Sequence, residues 1–124
     1  MSRKKILVVD DSRTALFMVT TILRKERYEL VTASDGEEAL AAAEAERPDL
    51  ILMDVVMPRK TGFEACRELK RREDTRAIPI ILVTTRGEGE NVEAGFESGC
   101  NDYVTKPINA QELLTKVRDH MEAK

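Results

Sequence analysis

The sequence predicts an α/β fold in which a parallel sheet of five strands lies between two layers of helices, with five helices in all. Short apolar runs alternate with longer helix-forming stretches along the whole chain of 124 residues. Several of these runs are unbroken, which is typical of parallel strands covered on both faces. Alternation and burial pattern together indicate a doubly wound sheet, and residues 1–124 have the length of a single domain.

The first strand and helix are predicted by an apolar run that ends in two acidic residues. Residues 6–9 are Ile, Leu, Val and Val, and two aspartates follow them. Asp11 or Ser12 can cap a helix that extends to about Arg27. The run over 30–33 then predicts a second, short strand.

The middle of the chain predicts a helix, a strand and a further helix. Residues 37–46 are Ala, Glu and Leu, which are strong helix formers, and Pro48 ends that helix. The apolar run over 50–53 predicts the third strand, which ends at Asp54. The stretch 63–72 spaces its apolar residues as a helix does.

The last third of the chain completes the alternation. Residues 78–83 predict the fourth strand, and 87–98 predict a helix that is weakened by three glycines. Residues 103–104 predict a short fifth strand. The stretch 109–121 predicts the last helix, because its apolar residues recur at helical spacing.

Four of the five predicted strands end in residues that can carry chemistry. In a parallel sheet the carboxyl ends of the strands share one edge, and doubly wound folds bind their ligands there. We therefore expect a single pocket, which is formed by Asp10, Asp11, Asp54, Thr84 and Lys106.

The acidic residues of this pocket favour Mg²⁺. Carboxylates about 5 Å apart repel one another by about 3 kcal/mol per pair at an effective dielectric constant of about 20, so a cation is needed to hold three of them together. Their oxygen atoms suit a hard divalent ion. The chain has one histidine, His120, so zinc is disfavoured.

Asp54 is the candidate nucleophile because it ends the central strand. Beside a bound cation, its carboxylate can attack an electrophilic phosphorus and form an acyl phosphate. Asp10 and Asp11 lie at the end of the neighbouring first strand and are suited to bind the metal. Lys106 and Thr84 can stabilise the phosphoryl oxygens by charge and by hydrogen bonding.

Each residue taken alone also has an ordinary structural explanation. Asp11 can cap the first helix, Asp54 can belong to a turn, and Thr84 is common at a strand end. Lys106 and Pro107 can form a turn, with a cis bond between them. The meeting of all these residues at one edge of the sheet favours the functional interpretation.

Composition excludes several other classes of protein. The net charge of −3 argues against nucleic acid as the main partner. No apolar run approaches the ~20 residues of a membrane span, and the run at 6–9 is too short for a signal peptide. We therefore expect no membrane insertion and a cytoplasmic location. Cys66 and Cys100 lack the spacing of a zinc or redox motif and are expected to be reduced and buried.

Four segments resemble the receiver domain of bacterial two-component response regulators, in particular the stand-alone CheY-like type. Together they reach from the first predicted strand to the last. They combine Asp-Asp, Asp-x-x-Met-Pro-x-x-x-Gly, Thr and Lys-Pro in the order of that family. The resemblance implies a flavodoxin-like sheet with strand order 2-1-3-4-5. The segments are ILVVDDS at 6–12, LILMDVVMPRKTG at 50–62, IILVTT at 80–85 and NDYVTKP at 101–107.

The resemblance implies a role for each residue of the pocket. Asp54 is similar to the phosphoacceptor of the family. Asp11 is similar to a direct Mg²⁺ ligand, whereas Asp10 acts largely through a bound water. Asp54 itself and the backbone carbonyl of Val56 complete the implied metal site. Lys106 pairs with the phosphoryl group.

The resemblance further implies a switch and its partners. Thr84 moves toward the phosphate and Tyr103 turns inward, which remodels the surface of the predicted fourth helix, fifth strand and fifth helix. A histidine kinase is the implied phosphodonor, and a downstream protein is expected to dock on that surface. Because the chain ends soon after Met121, we expect no output domain.

Three other functions remain as alternatives. A phosphorelay intermediate would pass its phosphoryl group on to a histidine and would use the same residues. A phosphatase with an aspartyl nucleophile needs a second acid two residues later, where this chain has Val56, so we expect no turnover enzyme. A binding module that is never phosphorylated is disfavoured by the complete set of pocket residues.

Overall fold

The computed structural model describes residues 3–57, 59–85 and 97–122. In these ranges it contains five strands and four helices. The strands are β1 (Lys5–Val9), β2 (Glu29–Ala33), β3 (Leu50–Asp54), β4 (Ile80–Thr85) and β5 (Asp102–Lys106). The helices are α1 (Arg13–Arg24), α2 (Gly36–Glu46), α3 (Gly62–Arg71) and α4 (Ala110–Glu122). The predicted helix over 87–98 lies outside the described residues except for its last two positions, so α4 is the last predicted helix.

The five strands form one parallel sheet with the order β2-β1-β3-β4-β5. This confirms the predicted doubly wound, flavodoxin-like sheet. The central strand β3 pairs with β1 on one side, with Val9 beside Met53, and with β4 on the other, with Asp54 beside Val83. The carboxyl ends of these three strands therefore lie side by side.

Alternate residues of the central strands enter two separate hydrophobic cores. In β1, Leu7 and Val9 pack with α2 and α3, whereas Ile6 and Val8 pack with α1 and α4. Every residue of β3 is buried. The unbroken apolar runs of the sequence are thus strands covered on both faces, as predicted.

The edge strand β5 is longer than the predicted strand over 103–104. It pairs with β4 from Ile81 beside Asp102 to Thr85 beside Lys106. Because an edge strand is partly solvated, it tolerates polar residues, and its apolar core of two residues understates its length. At its start, β4 begins at Ile80 rather than residue 78, since Pro79 has no N–H to donate to the ladder.

Two helix ends also differ from the sequence prediction. α1 ends at Arg24, and a turn follows in which the Glu26 and Arg27 N–H groups donate three residues back, to Leu23 and Arg24, before the chain reverses at Arg27 with a φ of 64°. α3 begins at Gly62, since Thr61 forms a capping box with Glu64: the Glu64 N–H donates to Thr61 Oγ1 at 3.2 Å, and the Thr61 N–H donates to Glu64 Oε1 at 3.0 Å.

Two expectations from composition can be compared with the structure. Cys66 and Cys100 are buried and free, as predicted. Burial raises the pKa of both thiols, that of Cys100 to about 11, so neither is a ready nucleophile. Within the described ranges, no helix combines the length and the apolar character needed to cross a membrane.

Gly62 stands where a side chain has no room. A Cβ at this position would overlap the carbonyl oxygen of Asp54 and would lie 2.9 Å from the Cα of Val55. The Gly62 N–H donates to the Val55 carbonyl at 2.9 Å, which closes the loop between β3 and α3. The absence of a side chain at residue 62 is thus needed to bring α3 against the end of β3.

We expect Gly62→Ala to lower the free energy of unfolding by about 2 kcal/mol, because the methyl group would meet backbone that cannot move aside. Helix propensity alone would raise the stability by about 1 kcal/mol, so the two effects have opposite signs. Urea unfolding followed by circular dichroism measures the difference. A variant as stable as the wild type would contradict the close approach.

Candidate functional site

Three carboxylates meet at the carboxyl edge of β1 and β3. Asp10 and Asp11 follow β1, and Asp54 is the last residue of β3. One oxygen atom from each of the three lies within 4.8 Å of the others. Asp10 and Asp54 are buried, whereas Asp11 is exposed, so the cluster opens to solvent on one side.

The backbone around Asp10 is held by hydrogen bonds that leave Asp11 out of the helix cap. The Asp10 N–H donates to the Ala33 carbonyl at 3.1 Å, and the Ser12 N–H donates to Asp10 Oδ1 at 3.0 Å. Ser12 is the N-cap of α1, since its Oγ accepts from the Ala15 N–H at 3.2 Å. The ordinary explanation of Asp11 as the helix cap is therefore wrong.

Lys106 supplies the positive charge of the site. Its Nζ lies 3.3 Å from Asp54 Oδ1 and 3.6 Å from Asp10 Oδ2, at the end of β5. Partial burial disfavours the charged amine, but the carboxylates of Asp54 and Asp10 outweigh this and raise its pKa. The peptide bond between Lys106 and Pro107 is cis, as predicted.

The surroundings of the Asp54 carboxyl disfavour its charged form. Its side chain is 8% exposed, and burial followed by the nearby Asp10 raises its pKa to about 6, although Lys106 acts in the opposite direction. A rise from the usual value of 3.8 corresponds to roughly 3 kcal/mol. One lysine thus compensates three carboxylates only in part.

This donor set fits a hard divalent cation. The three residues offer oxygen atoms only, at an open edge with room for water, and Mg²⁺ binds in this way. A cation here would offset the repulsion by Asp10 that, together with burial, raises the pKa of Asp54. Val56 lies in the loop after β3 with its side chain 69% exposed, so any contribution from this residue comes from its backbone.

Thr84 lies near the end of β4, one residue beyond Val83, which pairs with Asp54 on the neighbouring strand. It is 3% exposed, and among the described residues its Oγ1 has no hydrogen-bond partner. A buried hydroxyl in this state loses about 1–3 kcal/mol relative to a bonded one, so it is ready to donate to an incoming oxygen.

Tyr103 lies on β5, three residues before Lys106, and is half buried. Lys116 of α4 holds this part of β5: its Nζ donates to the Tyr103 carbonyl at 2.6 Å and lies 5.0 Å from the centre of the Tyr103 ring. Lys116 Nζ also lies 3.5 Å from Asp102 Oδ1, and His120 Nε2 lies 3.0 Å from Asp102 Oδ2. Tyr103 is thus held against α4 by Lys116.

One contact at the border of the site was missed by the sequence analysis. The guanidinium of Arg59, in the loop after Asp54, binds the buried carboxylate of Asp35 at the start of α2. In the sequence, Asp35 has the appearance of a turn residue, and Arg59 is one of many basic residues. Only the folded chain brings the two together, because 24 residues separate them.

Comparison with known proteins places this geometry in a family. The family model described as "Response regulator receiver domain" matches residues 6–118. Protein PilH of Pseudomonas aeruginosa is 40% identical over 91% of this chain and 93% of its own. The chain spans about half the length of several other curated relatives, which are named as transcriptional or DNA-binding regulators.

Solved structures show the same fold. The chemotaxis response regulator CheY4 of Vibrio cholerae is 36% identical, with a TM-score of 0.89, and covers 96% of this chain and 99% of its own. The receiver domain of the sensor histidine kinase PA1611 of Pseudomonas aeruginosa is 31% identical, with a TM-score of 0.91, over 98% of this chain and 99% of its own. That structure is described as having a magnesium ion coordinated in the active-site cleft.

We expect Asp54→Asn to raise the free energy of unfolding of the metal-free protein by roughly 1–3 kcal/mol at neutral pH. Because the native pKa of about 6 exceeds the unfolded value of 3.8, the native state binds this proton more tightly. The contribution of Asp54 to stability is therefore greatest below about pH 4 and is lost as the pH rises through about 6. Urea unfolding in EDTA, at neutral pH and at about pH 4, measures the free energy of unfolding of the variant and the wild type.

The control is Asp74→Asn, which removes the same charge at an exposed position. It should leave the stability nearly unchanged at both pH values. An Asp54→Asn variant that is less stable than the wild type at neutral pH would show that the charged form of Asp54 does not destabilise the native state.

Proposed function

The chain belongs to the response regulator receiver domain family, and on that premise we propose that it is a phosphorylation-dependent signalling switch. Asp54 accepts a phosphoryl group from the phosphohistidine of a histidine kinase. The observation that carries the proposal is the meeting of Asp10, Asp11 and Asp54 with Lys106 at one edge of the sheet. Asp10, Asp11, Asp54 and the Val56 carbonyl hold Mg²⁺.

Each residue of the site has a defined task in the transfer. An oxygen of the Asp54 carboxylate forms a bond to phosphorus while the bond between phosphorus and the histidine nitrogen breaks, and the imidazole leaves with that electron pair. Lys106, 3.3 Å from Asp54 Oδ1, attracts the negative phosphoryl oxygens. Bound Mg²⁺ neutralises part of the phosphoryl charge. The unpartnered hydroxyl of Thr84 donates to a phosphoryl oxygen.

Thr84 and Tyr103 transmit the change to the protein surface. When the Thr84 hydroxyl turns toward the phosphoryl group, Tyr103 moves inward, and the surface formed by residues 87–98, β5 and α4 changes shape. A downstream protein docks on this surface, in a pathway of the chemotaxis or motility type; the similar CheY4 is named as a chemotaxis response regulator. Residues 87–98 lie largely outside the described ranges.

The remaining parts of the proposal follow from the sequence. The protein acts in the cytoplasm and binds neither nucleic acid nor membrane. It catalyses only its own phosphorylation and dephosphorylation, because Val56 offers no second acid to a leaving group. It is therefore a switch rather than a turnover enzyme.

A second candidate function is that of a phosphorelay intermediate, which passes its phosphoryl group on to a histidine phosphotransfer protein. Two of the similar structures favour this alternative, since they are described as receiver domains of histidine kinases. The residues required are the same, so the two functions differ in the partner and in the direction of transfer.

Incubation with acetyl phosphate and Mg²⁺ should add one phosphoryl group to the protein, because the site supplies the nucleophile and the positive charge. Intact-mass spectrometry measures the adduct, which hydroxylamine should remove since it is an acyl phosphate. EDTA and Asp54→Asn should each abolish it, whereas Asp74→Asn at the surface should label like the wild type. A wild-type protein that takes no label from acetyl phosphate or from a histidine kinase would refute the switch.

Reverse transfer separates the two candidate functions. A phosphorelay intermediate, once labelled on Asp54, should lose its label to a histidine phosphotransfer protein faster than by hydrolysis, because transfer to the imidazole returns the phosphoryl group to nitrogen. Gel separation of the two labelled proteins over time measures this. Label that disappears only by hydrolysis supports the output switch.

A further inference from the structure

The loop between β3 and α3 carries the Val56 carbonyl and is anchored at both ends. The Val55 N–H donates to the Val83 carbonyl at 3.0 Å, and the Gly62 N–H donates to the Val55 carbonyl at 2.9 Å. These bonds fix where the loop leaves the sheet and where it enters α3. Between these bonds, Met57 is 7% exposed and packs in the core beneath α2 and α3, whereas Arg59 lies beyond it on the exposed side of the loop.

An ion pair supplies a further anchor in the middle of the loop, at Arg59. Arg59 Nε and Nη2 donate to Asp35 Oδ2 at 3.0 Å and 2.5 Å. The other carboxylate oxygen, Oδ1, accepts from the Glu38 N–H at 2.9 Å and so caps α2. The Asp35 side chain is 1% exposed, whereas that of Arg59 is 68% exposed. The buried Asp35 carboxylate, both of whose oxygen atoms accept hydrogen bonds, thus fixes the position of a guanidinium that is largely exposed to solvent.

Two further contacts place the loop directly against the first turn of α2. A Cβ at Gly36 would overlap the carbonyl oxygen of Lys60, so the two backbones already touch. Lys60 Nζ lies 3.6 Å from Glu37 Oε1 and 3.5 Å from Glu68 Oε1. The loop therefore packs against α2 at Gly36, and Lys60 pairs both with Glu37 of α2 and with Glu68 of α3.

The backbone of Arg59 has a conformation that is energetically unfavourable for a residue with a side chain. Its φ is 66°, in the left-handed region that residues with a side chain seldom occupy. Such a conformation persists where surrounding contacts determine it, and here those contacts are the two hydrogen bonds to Asp35. A glycine would adopt the same φ without strain but could not form the pair.

We propose that the Asp35–Arg59 ion pair is a positioning device for the metal site, which sets the Val56 carbonyl by fixing the middle of the loop that carries it. This inference rests on the proposed function, in which Val56 is a metal ligand. Neither Asp35 nor Arg59 touches the metal or the phosphoryl group. They act as the outer supports of metal ligands do, by removing alternative positions of the ligand.

Electrostatics alone would produce the opposite effect. Arg59 is a cation, and its removal from the neighbourhood of the carboxylate cluster would favour the binding of another cation. If the pair positions the loop, removal of Arg59 must instead weaken Mg²⁺ binding. The sign of the change therefore distinguishes positioning from charge.

The test is isothermal titration of the metal-free protein with Mg²⁺, for the wild type and Arg59→Gly. Glycine relieves the strained φ and removes the guanidinium, so we expect a dissociation constant about tenfold higher. Arg59→Lys keeps the charge with a single donor group and should restore part of the affinity. The matched control is Arg47→Gly, since Arg47 is exposed, has a φ of 46° and caps the far end of α2; its affinity should equal that of the wild type.

A cycle with Asp35→Asn completes the test. Asparagine keeps the Oδ1 acceptor for the α2 cap but loses the charge that holds Arg59, so we expect the double variant to bind Mg²⁺ no more weakly than Arg59→Gly. Urea unfolding of each variant checks that the effect is on the metal and not on the fold.

The outcomes separate the two proposals. An Arg59→Gly variant that binds Mg²⁺ as tightly as the wild type, or more tightly, overturns the positioning role. So does a loss of affinity that is equal in Arg47→Gly, or one that is additive with Asp35→Asn. A wild type that binds no Mg²⁺ and takes no label from acetyl phosphate refutes the proposed function itself.

Discussion

Three carboxylates whose oxygen atoms lie within 4.8 Å of one another can be held together only by a rigid scaffold and an opposing charge. The scaffold is the parallel ladder of β1 and β3, which places Asp10 and Asp54 at the same edge with backbones that cannot separate. The opposing charge is the single ammonium of Lys106. Since this one charge does not offset both burial and the neighbouring Asp10, the pKa of Asp54 stays at about 6, and the uncompensated negative charge makes the edge attractive to a divalent cation. Metal binding and nucleophile placement thus have one physical origin.

Most of the fold could be predicted from the sequence because its signals are strong and local. Unbroken Val, Ile and Leu runs mark strands buried on both faces, and the Ala-rich stretch before Pro48 marks α2. The carboxylates and Lys106 could be placed together without knowledge of the strand order, because all carboxyl ends of a parallel sheet share an edge. The strand order itself came from the family resemblance.

The rest could not be predicted because it depends on competition between near-equal local choices or on distant contacts. Asp11 and Ser12 are both residues that commonly cap helices. In the structure Ser12 is the N-cap, and its backbone N–H donates to the Asp10 carboxylate. The polar edge strand β5 has too little apolar character to show its length. The pairing of Asp35 with Arg59 depends on how α2 sits against the loop after β3, which no local pattern encodes.

The division of the interior into two cores has a consequence for how such a protein can diverge. Asp54 and Lys106 lie two residues beyond Leu52 and Val104, which belong to the core beneath α1 and α4, so alternation directs them to that side of the sheet. Thr84 lies two residues beyond Leu82, which belongs to the opposite core beneath α2 and α3. Substitutions that repack one core therefore act first on the charged groups, and those that repack the other act first on the hydroxyl and on the loop seated on α2. Descendants of this chain could adjust the acceptance of a signal and its transmission by separate, independently accumulating mutations.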